Sequence, residues 1–113
     1  MIGAMWHVRG LNKSGRLNYI KDFISNNNID FVGLQKTKKV DFHSSLLNFI
    51  GNNFTWNYLP ATGTAGGILM GFKTTKLEIL SWDIKQFSIS AIVKNMADKI
   101  TWKCSTVYGS AYD

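Results

Sequence analysis

One short apolar run, residues 29–34, sits between two helical stripes and runs straight into the polar, charged end Gln35-Lys36-Thr37-Lys38. Before it, Leu17, Ile20, Phe23 and Ile24 recur at helical spacing; after it, Phe42, Leu46, Leu47, Phe49 and Ile50 do the same. Residues 4–8, with Met5, Trp6 and Val8 apolar, read as a strand ahead of the first stripe. A strand–helix–strand–helix opening argues for parallel pairing in an α/β layer, because a helical crossover brings the next strand back in the same direction. In such layers ligands and reacting groups gather at the carboxyl ends of the strands. Gln35, Lys36 and Thr37 are therefore expected where a site would be placed. Asn12 or Ser14 is available to cap the first helix and the Asn26-Asn27-Asn28 run to end it. Asp41 or Ser44 starts the second, which Gly51-Asn52-Asn53 closes.

The pattern changes after residue 53. Strand signals follow at residues 54–59, 68–72, 77–84, 87–93 and 100–108, mostly on short turns, which predicts an antiparallel meander. Residues 68–72 read as a fully buried strand, whereas Thr101, Lys103 and Ser105 alternate with apolar neighbours. Residues 60–67 form a Gly- and Thr-rich loop. There is no internal repeat, linker or low-complexity segment.

A length of 113 residues suits one small domain or part of a larger one, and 45% hydrophobic with 18% charged residues excludes disorder by composition. A net charge of +6 favours a polyanion such as nucleic acid, although many domains carry such an excess with no partner. Glu78 is the only Glu, so a site built on carboxylates has few residues to draw on. Cys104 is the only cysteine, which rules out an intrachain disulfide and a cysteine-based zinc site and suits a small buried residue in a strand. Residues 1–6 lack a basic region followed by a long apolar run, and the most apolar run, 66–72, is too short to cross a bilayer. An intracellular, unsecreted chain is expected, with the nucleus open to it, and no membrane partner.

Each polar string has two readings from its residues alone. His7 and Arg9, at the end of the first strand, reach a phosphate or a metal, or are solvated while Trp6 and Val8 enter the core. Gln35-Lys36-Thr37-Lys38-Lys39 attracts phosphates by charge, or is a solubilising patch. The Thr62–Gly67 string lacks the closing Gly-Lys-Ser/Thr of a phosphate-binding P-loop, and a strand rather than a helix follows it. Tyr108 presents its hydroxyl to an anion or is half-buried packing.

Taken in order, the strings are more specific. Trp6-His7-Val8-Arg9-Gly10-Leu11-Asn12, Leu34-Gln35-Lys36-Thr37-Lys38, Gly63-Thr64-Ala65-Gly66-Gly67-Ile68-Leu69 and Val107-Tyr108-Gly109 resemble the start of the endonuclease/exonuclease/phosphatase superfamily. They look most like the apurinic-endonuclease-like domain of plant non-LTR (LINE-type) retrotransposons. The resemblance implies a four-layer α/β sandwich, two sheets face to face with helices outside, and Mg²⁺-dependent cleavage of a DNA phosphodiester. It also implies that residues 1–113 are the N-terminal half of that domain, truncated, because an Asp-x-Asn pair, a further Asp and a final Asp-His belong after Tyr108.

Carried over by position, the resemblance retains the active-site Tyr as Tyr108, with Ser110 in place of a Pro, and gives Arg9, Gln35 and Lys38 to substrate binding. It puts His7 where the family has an Asn that helps hold metal and phosphate, and Lys36 where the family has its metal-binding Glu. Mg²⁺ is therefore not expected to bind productively. The expected product is an inactive remnant of a DNA endonuclease. The alternatives are a basic nucleic-acid-binding remnant without catalysis and a non-functional gene product. A half sandwich is further expected to expose a sheet face and self-associate, with Phe87, Ile89, Ile92, Trp102 and Val107 as its candidates.

Overall fold

The computed structural model describes residues 1–62 and 66–107. Strand β1 (Gly3–His7) leads through helix α1 (Arg16–Asn26) to β2 (Phe31–Gln35), and helix α2 (Ser44–Gly51) leads to β3 (Phe54–Leu59). Four strands follow: β4 (Ile68–Lys73), β5 (Leu77–Ile84), β6 (Ser88–Asn95) and β7 (Thr101–Val107). β1 and β2 pair in parallel, as the helical crossover requires, with His7 opposite Gln35.

The later strands do not form one meander. β4 inserts between β2 and β3, antiparallel to both, so the first sheet has the order β1-β2-β4-β3; β5, β6 and β7 form a separate antiparallel sheet. Apolar periodicity reports how many faces a strand buries, not which strand it pairs with. β4 buries both faces, with Leu69 toward the helices and Ile68, Met70 and Phe72 toward the second sheet.

The helices cover one face of the first sheet. Ile20 and Ile24, one turn apart on α1, and Ile50 on α2 pack with Val8, Val32, Leu34 and Leu69. Trp6 meets Phe23 edge-on at 5.0 Å between ring centroids. Neither proposed side-chain cap is used. Gly15, in the left-handed region at φ 78, precedes α1, and His43 precedes α2 without a side-chain hydrogen bond. The Asn run does end α1: both the backbone N–H and the side-chain amide of Asn27 donate to the Phe23 carbonyl.

The opposite face of the first sheet packs on the second sheet. Phe31, Phe72, Trp82 and Trp102 form a chain of ring contacts at 5.1–6.2 Å across the seam. Ile89 is 0% exposed, and Ala91, Val93 and Cys104 join it there. The expected bare sheet face is therefore largely covered. Ile89 and Trp102 belong to the core between the sheets and Ile92 is half-buried, while Phe87 and Val107 are exposed at 57% each. The mixed α/β class with two facing sheets is the expected one. Both described helices lie outside the first sheet, giving three of the four expected layers.

Candidate functional site

The register brings the sequence strings to one end of the sandwich. His7 ends β1 opposite Gln35, which ends β2; Gln35 lies opposite Ile68, which starts β4; and Ile68 lies opposite Leu59, which ends β3. The second sheet arrives at the same place, where the Gln35 Nε2 donates to the Val107 carbonyl at the end of β7, at 2.7 Å.

Beyond these ends the backbone is laced together. Val8, Gly10 and Leu11 donate to the carbonyls of Gln35, Lys36 and Thr37 at 3.0, 2.7 and 3.0 Å. Thr37 and Lys38 donate in turn to Gly67 and Gly66 at 3.2 and 2.8 Å, and Ala61 donates to Lys39 at 2.8 Å. Two lysines and an arginine here adopt the left-handed conformation: Arg9 at φ 54, Lys36 at φ 58 and Lys38 at φ 58. Each costs a non-glycine residue about 1–2 kcal/mol. The hydrogen bonds on both flanks offset that cost and hold the geometry. The alternation turns Thr37 inward, fully buried, and leaves Lys36 half-buried and Lys38 exposed.

The side chains follow. His7 is exposed and two residues along from Met5, so it shares the Met5 face of β1. That face looks toward the second sheet, where the Thr106 hydroxyl donates to the Met5 Sδ at 3.6 Å. Arg9 is exposed. The Lys38 stem lies over Gly10, where a Cβ would come within 3.5 Å of its Cδ. The Lys39 Nζ donates to the Asn12 Oδ1 at 3.4 Å and sits 5.8 Å from the centre of the Phe42 ring. His7, Arg9, Gln35, Lys36 and Lys38 are thus gathered at one end. Tyr108 and Ser110, together with Gly63, Thr64 and Ala65 of the loop, lie outside the described residues.

Thr37, expected at the site, lies there fully buried and organises it through its backbone. Gly67 and Asn12 also organise this end and were not among the candidate site residues. Gly67 has φ 93, and a Cβ there would collide with the Thr37 Oγ1. A paired glycine ahead of a buried strand was the available signal, but it read only as a turn.

The donor set does not suit Mg²⁺, which takes oxygen ligands, carboxylates above all, in a near-octahedral shell. Segments 6–12 and 34–40 carry Arg9, Lys36, Lys38 and Lys39 and no Asp or Glu. No group of three or more His, Cys, Asp or Glu able to hold a metal occurs among the described residues. The arrangement can receive an anion through side-chain charge. A cavity of about 440 Å³ opens at the other end of the first sheet, between α1 and α2, lined by Lys21, Asn28, Asn48, Asn52 and Lys73 among others. None of the sequence candidates lines it. Among the described residues, no helix is long and apolar enough to cross a membrane.

No protein-family model matches the sequence, and no curated protein matches it. Solved structures do match. The AP endonuclease LMAP from Leishmania major superposes with a TM-score of 0.69 at 16% identity, over 94% of this chain and 39% of that one. A humanized Danio rerio (D. rerio) TDP2 carrying 14 mutations gives 0.65 at 13% identity, over 96% and 47%. The endonuclease/exonuclease/phosphatase from Bacteroides vulgatus gives 0.64 at 13% identity, over 90% and 49%. At such identities the likeness establishes the fold, and the chain spans less than half the length of each of these structures. The described residues have the fold of endonuclease/exonuclease/phosphatase structures, two facing sheets with helices outside.

Proposed function

We propose that this chain descends from a Mg²⁺-dependent, retrotransposon-type DNA endonuclease and does not itself cleave DNA. Residues 1–113 are read as part of such a domain, a reading supported by the share of each solved structure that the chain covers. One observation carries the loss of activity: Lys36 stands at the β2 exit, where the sequence resemblance calls for the carboxylate that binds the metal. At about 4 Å and an effective dielectric of about 20, each unit-charge pair is worth about 4 kcal/mol, so changing an anion to a cation replaces attraction for a dication by repulsion. His7 in place of an Asn is a second departure. The purified chain is expected not to nick supercoiled plasmid in Mg²⁺. Nicking that disappears in the Tyr108→Phe variant would overturn the proposal.

A second reading is favoured by the cations gathered at the strand ends: the chain binds nucleic acid without cutting it. One of the matched structures is a D. rerio TDP2 complexed with a single-strand DNA product, with a TM-score of 0.63 at 13% identity. Charge-driven binding weakens steeply as salt rises, because each neutralised phosphate releases counterions. Binding to an oligonucleotide at low salt that is lost on adding salt supports this reading, and no binding at low salt removes it. An intracellular location with access to the nucleus accords with both readings.

A further inference from the structure

We propose that the strand-end site holds a nucleic-acid phosphate without any divalent cation, with the Lys36 ammonium supplying the positive charge that Mg²⁺ would supply in the fold family. This rests on the nucleic-acid-binding reading above and adds to it how the anion is held. Three observations carry it.

The first is the donor set. The two strand-end segments offer Arg9, Lys36, Lys38 and Lys39 and no carboxylate, so a dication meets repulsion where it would need oxygen ligands. A phosphodiester carries the opposite charge and meets cations, with no carboxylate on these two segments to repel it.

The second is position. Lys36 follows directly on Gln35, the residue at which β1, β2, β4 and the end of β7 converge. Its cation is therefore introduced at the convergence of the strands and not on a peripheral loop.

The third is rigidity. The Lys36 carbonyl accepts from the Gly10 N–H at 2.7 Å, and the next residue, Thr37, is fully buried and donates to Gly67. Lys36 is held in the left-handed region by hydrogen bonds on both sides, so the direction of its Cα–Cβ bond is set. A lysine is a compact point charge on a flexible stem and suits a single phosphate oxygen. Exposed Arg9 and Lys38 flank it on the paired segments.

The test is fluorescence anisotropy of a labelled single-stranded DNA oligonucleotide titrated with the full chain at low salt. It is run in excess EDTA and in MgCl₂ at matched ionic strength. The wild-type affinity is expected to be no higher in MgCl₂ than in EDTA, since counterion release and not metal bridging sets it and Mg²⁺ itself competes for the phosphates. Lys36→Glu is expected to weaken binding in EDTA by about tenfold or more, with part of the loss recovered in Mg²⁺. Lys36→Asn removes the charge but tolerates the left-handed backbone; it is expected to weaken binding severalfold with no recovery in Mg²⁺. Lys103→Glu makes the same charge change on the exposed side of β7 and serves as the control, with a smaller loss that is equal in both conditions. Circular dichroism of each variant separates lost binding from lost fold. Wild-type binding that requires Mg²⁺ overturns the inference while leaving the nucleic-acid reading intact. Lys36→Asn binding as well as wild type also overturns it. No wild-type binding in either condition removes both.

Discussion

The Gln35 side-chain amide donates to the Val107 carbonyl at 2.7 Å, joining the end of β2 in one sheet to the end of β7 in the other, 72 residues along the chain. The core between the sheets is apolar and non-directional, so it does not by itself set how far one sheet slides on the other. A directed bond at the strand ends does. Gln35→Ala should therefore cost about 1 kcal/mol, the ordinary worth of a hydrogen bond at a partly exposed position. Gln35→Glu should cost more, since an ionised carboxylate has no donor to offer the carbonyl and repels it. Urea midpoints of the two variants check this, and a midpoint for Gln35→Glu at or above that of Gln35→Ala would reject the bond as a determinant.

Gly67 and Gly15 both have positive φ, at 93 and 78, yet their surroundings differ. A Cβ on Gly67 meets the Thr37 Oγ1 and comes 3.2 Å from the Lys38 backbone N, whereas a Cβ on Gly15 meets nothing within 4 Å. Gly15→Ala should cost only the conformational penalty, about 1 kcal/mol. Gly67→Ala adds a collision with a buried, hydrogen-bonded segment and should cost about 2–3 kcal/mol. It should also displace the Lys36–Lys38 backbone and weaken any nucleic-acid binding, which Gly15→Ala leaves unchanged. Thermal melts of both variants beside an oligonucleotide titration test the pair. Equal melting losses would show that the contact with Thr37 does not matter.

The contrast between those glycines marks where sequence patterns stop being informative. The limits of β3 were readable because its strand-forming run ends at turn-forming residues on both sides, Asn52-Asn53 and Pro60. The parallel β1–β2 pair was readable because only a crossover joins two strands separated by a helix. The division of the later strands between two sheets was not. Ile89 and Trp102 have the same alternating pattern whether their inner face is covered by Phe31 and Met70 or left bare. At the site, the order of the strings located the right residues. The left-handed backbone at Lys36 and Lys38 was not readable, because lysine gives no hint of it; glycine, asparagine and aspartate are the residues that usually mark such positions. Those two angles depend on a hydrogen bond donated by Gly10 and on bonds accepted by the Gly66 and Gly67 carbonyls, all distant in sequence.

Asp30 anchors the opposite end of the first sheet. It is 8% exposed; its carboxylate accepts from the Ile2 N–H at 3.0 Å and lies 3.6 Å from the Lys73 Nζ. Its backbone N–H donates to the Ile2 carbonyl and its carbonyl accepts from the Lys73 N–H. It thus holds the entry of β1 and the exit of β4 together. Asp30→Ala should cost about 1.5–3 kcal/mol, the range for hydrogen bonds to a charged group. Asp30→Asn keeps an acceptor for Ile2 and should lose less. Amide hydrogen exchange should also speed up along β1 in Asp30→Ala, while the amides of β6 stay protected. Uniform protection across both sheets would remove this assignment.

Cys104 gives the fold a pH dependence of defined sign. The residue is buried between the sheets, and desolvation raises its thiol pKa from the ordinary value of 9.0 because a thiolate is disfavoured in an apolar core. A raised folded-state pKa means that the native state holds the proton more tightly than the unfolded chain does. The associated stability is complete below 9.0, the unfolded value, and is lost as pH rises through the folded value. One group contributes a slope of at most about 1.4 kcal/mol per pH unit over that window. Lysines and tyrosines titrate in the same range, so the informative quantity is a difference. Cys104→Ala removes the titrating thiol and should lose less stability than wild type between about pH 7 and about pH 10, even though its smaller side chain lowers stability at the lower pH. Denaturant titrations of both proteins at the two pH values measure that difference, and parallel losses would show that the thiol stays neutral, or unfavoured by burial, throughout the range.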